Sequence, residues 1–143
     1  MLGLGSRAIG PVFFNQNCPL AEHLTYSPHV ARLTSIHLPD IHKSFRCFWD
    51  RGPAFSNTLG EMRIASYHPS KDISPIVDYC FVTTSPFPAA ISFRYHSGPV
   101  SFLGVHPELA EWCLNEGYSL SSDDLKLNHY LFERSCQLAG LSS

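Results

Sequence analysis

The stretch SIHLPDIHKSFRCFWDRGP, Ser35 to Pro53, gathers residue types that bind metals and move protons: His37, Asp40, His42 and, further on, Cys47. Zinc needs three or four such ligands converging at about 2 Å, and structural sites usually draw them from closely spaced Cys/His pairs. Here Asp40 follows Pro39 and reads as a helix cap, while His37 lies upstream in an extended segment, so no metal site is expected. His23, His29, His68, His96, His106 and His129 form no HExxH, HxH or HxxxH pair either.

A cysteine nucleophile is the second chemistry to weigh. Cys18 in NQNCPLAEH precedes a proline that can open a helical turn, where free N–H groups would stabilise a thiolate. No histidine motif follows to complete a Cys–His pair. The third candidate lies on strands. By alternation Ser92, Arg94 and His96 share a face, Glu61 and Arg63 share another, and Asp78 lies with Cys80 and Val82. Covered by helices, Arg63, Asp78, Arg94 and His96 become polar groups in an apolar cleft, the usual make-up of a small-molecule pocket. GLGSRAIG lacks the GxGxxG spacing of a dinucleotide turn, and ISFRYH lacks the glycine-aromatic signature of an RNA-binding strand.

Positioning these residues falls to elements the patterning suggests. RAIGPVFFN reads as an opening strand weakened by Pro11. SPHVARLTSI, capped by Ser27 with Pro28 at the first helical position, reads as a short amphipathic helix. From Asp40 a second helix is expected, with Ile41, Phe45, Phe48 and Trp49 in one stripe, Lys43 and Cys47 on the far face, and Gly52-Pro53 as stop signals. EMRIASYH, IVDYCFVTT, AAISFRYH and VSFLGV then change to strand character, with HSGP closing a hairpin. Two helices end the chain, over HPELAEWCLNEG and SSDDLKLNHYLFERSCQLAG. The second is apolar on two sides: Leu125, His129, Phe132 and Cys136 form one stripe, Leu127, Leu131 and Leu138 another.

This order of strand, helix, helix and strands resembles the first half of an acyl-CoA-dependent acetyltransferase. The glycine-rich pyrophosphate turn of such enzymes has no counterpart here, because SGPVSFLGV follows AAISFRYH.

Composition bounds the rest. With 143 residues and 44% hydrophobic content, one domain spanning 1–143 is expected. Charged residues make up only 15%, below the usual ~25%, so apolar surface is left for a partner to cover. The net charge of −2, with lysine only at positions 43, 71 and 126, argues against nucleic acid and anionic membranes. Arg7 and Pro11 interrupt the apolar start, so no signal peptide is expected, and no apolar run approaches the ~18 residues of a membrane span. Five scattered cysteines without a CxxC pair suggest reduced thiols and a cytoplasmic protein.

The expected fold is α+β: a largely antiparallel sheet of four to five strands, two helices inserted after the first strand, and two C-terminal helices packed on the sheet. The expected function is non-enzymatic. The domain self-associates, as a dimer through Leu127, Leu131 and Leu138, and takes a small ligand beside Arg63, Asp78, Arg94 and His96, with no cofactor. The alternative is a small-molecule transferase or hydrolase using His, Arg or Cys in the same cleft.

Overall fold

The computed structural model describes residues 2–4, 21–25, 32–50, 52–55, 62–67, 74–75, 88–95 and 97–141. Among the described residues nine strands come first: β1 (Leu2–Leu4), β2 (Ala21–Thr25), β3 (Arg32–Leu38), β4 (Lys43–Trp49), β5 (Pro53–Phe55), β6 (Met62–Tyr67), β7 (Ser74–Pro75), β8 (Pro88–Tyr95) and β9 (Gly98–Leu103). A 3-10 turn, Pro107–Leu109, then leads into α1 (Ala110–Asn115), and α2 (Ser122–Leu138) follows. Six strands form a half-barrel sheet in the order β1-β9-β8-β6-β3-β4, and β5-β2-β7 form a smaller one.

The chain is α+β, but the sheet and the helix placement differ from the sequence-based expectation. The main sheet has six strands and is mixed, because β1 runs parallel to β9. Among the described residues the only α-helices are the two C-terminal ones, and the segments expected to be helices after the first strand supply β3 and β4 instead. The likeness to an acetyltransferase, which rested on those helices, is lost with them. The opening strand expected over 7–15 and the strand expected over 76–84 lie outside the described residues.

The physical reason is a pattern with two solutions. Phe45, Phe48 and Trp49 fit a helical stripe, but Phe45, Cys47 and Trp49 also alternate, and all three point into the core from β4. Facing them on β3, Ile36 and Leu38 are fully buried. β3 and β4 pair from Arg32↔Trp49 to Leu38↔Lys43, so Pro39, Asp40, Ile41 and His42 make a four-residue hairpin loop. Its last residue, His42, takes the left-handed conformation at φ 52°. Asp40 therefore serves a turn, as Pro-Asp pairs commonly do, rather than a helix cap. Cys47, expected on an exposed helix face, has no exposed surface.

The core on this face joins Ile36, Leu38, Phe45, Cys47, Trp49, Tyr67, Ala90, Leu103 and Val105 to Leu131 of α2. On the reverse face Phe55 packs with Ile91, Val100 and Phe102, while Cys113 of α1 packs with Leu33 and Phe48. One close approach fixes the chain after β4. A β-carbon on Gly52 would stand 1.7 Å from the Gly104 carbonyl oxygen, which only glycine avoids, and the buried Trp49 indole donates to the Gly52 carbonyl at 3.0 Å.

Candidate functional site

Helix α2 starts on a complete capping box. Ser121 Oγ accepts from the Asp124 amide, and Asp124 Oδ2 accepts from the Ser121 amide, both at 3.0 Å. The same aspartate reaches the sheet. The Arg46 amide donates to Asp124 Oδ1 at 3.1 Å, and Asn128 Nδ2 donates to the Arg46 carbonyl and the Asp124 carbonyl, each at 2.8 Å. Beside them the His106 amide donates to the Phe48 carbonyl at 2.8 Å. Strand β4 is an edge strand, whose outward backbone groups would otherwise template pairing with another chain. Over Arg46 and Phe48 that edge is covered by side chains of α2 and by the segment entering the 3-10 turn. Tyr130 completes the tie, its hydroxyl donating to Asp40 Oδ2 at 2.6 Å in the hairpin loop. That bond favours the protonated phenol and raises the Tyr130 pKa, with burial adding to the effect.

The two apolar stripes of α2 meet different fates. Leu131 is fully buried, and Leu127 and Leu138 are half-buried against the core, so the sheet itself covers the three leucines expected to face a partner. The other stripe lies about two-fifths of a turn round the helix, toward its opposite side. Its Leu125 and Phe132 are half-buried and open into a groove of about 490 Å³ between α2 and the 3-10 turn with α1. Pro107 and Ala110 line the opposite side, both buried. Charge is divided across the opening: Glu108 and Glu111 stand on the α1 side and Lys126 on the α2 side, where His129 pairs with Glu133.

Each wall also carries a His–Glu pair. His106 Nδ1 lies 2.6 Å from Glu108 Oε1, with the two side chains about a quarter exposed, and His129 Nε2 lies 3.0 Å from Glu133 Oε1 in the open. Among the described residues neither pair adjoins a usable nucleophile. Cys47 bonds the backbone of His106, but burial, and after it Glu108 and Cys113, hold its thiol well above the ordinary cysteine range. A thiol so held is inert.

The other sequence candidates are dispersed. Arg63 on β6 is half-buried and donates to Ser66 Oγ at 3.3 Å, whereas Arg94 on β8 is exposed and donates to the Ser97 carbonyl. Arg63 pairs with Ile91, three residues before Arg94, so the two arginines project from opposite faces of the sheet. Asp78, His96 and Cys18 lie outside the described residues. His37 Nδ1 lies 3.1 Å from Ser44 Oγ on the neighbouring strand, Asp40 accepts from Tyr130, and His42 is exposed. Among the described residues no three His, Cys, Asp or Glu side chains converge on a metal position, and no helix is long and apolar enough to cross a membrane.

Glu108, Glu111 and Lys126 were not singled out by sequence reasoning. Their types and positions were visible, but nothing in the letters says that the two C-terminal helices adjoin. Compared with protein-family models, curated proteins and solved structures, the chain matches none.

Proposed function

We propose that this protein is a self-associating α+β domain whose two copies meet across the groove between α1 and α2. The observation that carries this reading is the division of charge over an apolar lining. Leu125 and Phe132 line the groove on the α2 side with Lys126 as that wall's cation, and Pro107 and Ala110 line it on the other side with Glu108 and Glu111. A two-fold axis along the groove sets the acidic wall of one copy against the basic wall of its partner, so the patch is complementary to itself. An axis across the groove would oppose like charges. The low charge of the chain, 15%, points the same way, because little ionic cover is available to keep apolar surface solvated.

Sedimentation velocity over a dilution series tests the reading. The mass should rise from 16.0 kDa toward twice that value between about 1 and 100 µM, the range of a small, weak interface. Lys126→Glu should remove the rise. A wild-type protein that stays monomeric across the series overturns the proposal and leaves the groove to a small ligand.

A further inference from the structure

On another side of α1 a tryptophan stands only partly covered. Trp112 keeps 43% of its surface in solvent, and with Glu116, Gly117 and Tyr118 it lines an open recess of about 280 Å³. The Trp112 and Tyr118 rings lie 6.3 Å apart at 35°. Phe48 stands nearly perpendicular to both, 5.4 Å from Trp112 and 5.8 Å from Tyr118, and is itself packed with Leu33 and Cys113. The two rings are therefore propped from below by the core. Between them the chain passes through Gly117 at φ +88°, and apart from its chain neighbours nothing lies within 4 Å of the position a β-carbon would take.

We infer that this recess binds a small quaternary ammonium compound. The faces of Trp and Tyr rings carry the negative part of the ring quadrupole and attract cations within about 6 Å of their centroids. Glu116 adds a carboxylate at the rim, and among the described residues no lysine or arginine lines the recess. The neighbouring cation, Arg46, is directed to the Ser119 carbonyl at 3.4 Å. A primary ammonium is more strongly hydrated through its three N–H donors, which favour water over ring faces. A quaternary ammonium has no donor to lose, so ring faces and one carboxylate suffice. The inference stands apart from self-association, since it uses neither Leu125, Lys126, His129 nor Phe132.

The test is an NMR titration of the full chain with choline chloride at constant ionic strength, following the Trp112 indole N–H. Its control is the uncharged isostere 3,3-dimethylbutan-1-ol. The indole of Trp49 is buried and reports any change elsewhere in the core. Trp112 and its neighbours should shift along a saturating curve at millimolar choline, with the neutral alcohol at least about fivefold weaker. Trp112→Leu should weaken binding about tenfold or more, and Glu116→Gln, an exposed change that leaves the fold intact, about threefold. Equal shifts with choline and the alcohol, shifts that never saturate, or binding unchanged in both variants would overturn the inference.

Discussion

The two apolar stripes of α2 have similar composition and opposite surroundings. The inner one, Leu127, Leu131 and Leu138, is covered by the protein's own sheet, and Asn128 and Asp124 beside it are hydrogen-bonded to β4. The outer one has a groove in front of its Leu125, His129 and Phe132, with charge on both walls. Amphipathic pattern alone therefore identifies surfaces that need cover, without saying whether the cover comes from the same chain. What separates the two here is polar anchoring. Inward-facing Asp124 and Asn128 select the stripe that docks, because they answer backbone groups that an edge strand leaves open.

Substitutions on the two stripes should separate most widely in stability. Leu131→Ala empties a fully buried position and should cost about 2–5 kcal/mol in urea unfolding. Phe132→Ser, at a half-buried position, should cost about 1 kcal/mol or less in dilute solution while abolishing the concentration-dependent rise in mass. Equal losses of stability at the two positions would erase the distinction between the stripes.

A smaller effect is expected at the anchor. Asp124→Ala removes the side-chain half of the capping box and the bond to the Arg46 amide, and should cost about 1–2 kcal/mol. Hydrogen exchange at Arg46 should accelerate more than at core amides of β3. Unchanged exchange there would mean that α2 does not protect the edge of β4.

The smallest effect concerns pH. Burial raises the Cys47 thiol above its ordinary 9.0 and the Tyr67 phenol above its ordinary 10.0. Below the ordinary thiol value both folded and unfolded chains keep these protons, and their contribution to stability is complete. Above it the unfolded chain ionises first, so stability falls as pH rises. Cys47→Ala removes one such group and should flatten the alkaline decline by up to about 1.4 kcal/mol per pH unit. Parallel pH curves for the variant and wild type would show that Cys47 is not enclosed. Slow reaction of Cys47 with a thiol reagent in the folded protein checks the same point.

Much of this arrangement is legible in the letters, and the failures have a common physical origin. Strands β6, β8 and β9 are recognisable because β-branched and aromatic residues run between turn signals, and α2 because Ser122, Asp123 and Asp124 open a long amphipathic pattern, although the cap itself is Ser121. β3 and β4 are not, since Phe45, Phe48 and Trp49 satisfy a helical stripe while Phe45, Cys47 and Trp49 satisfy alternation. Only the buried partners Ile36 and Leu38 decide between them, and that pairing is tertiary. The parallel pairing of β1 with β9 joins residues far apart in sequence and leaves no local trace. At the candidate site Leu125, His129 and Phe132 were visible as a stripe, whereas Glu108 and Glu111 acquire meaning only once α1 lies across from Lys126.

Mixing two charge-reversed proteins tests the central claim most directly. Lys126→Glu alone and Glu108→Lys/Glu111→Lys alone should each be monomeric at about 100 µM, because each then opposes like charges in the two-fold pair. Mixed in equal amounts, they should sediment as a heterodimer, each acidic wall now facing a basic one. Should the mixture remain monomeric while the wild type dimerises, the two copies do not meet across this groove.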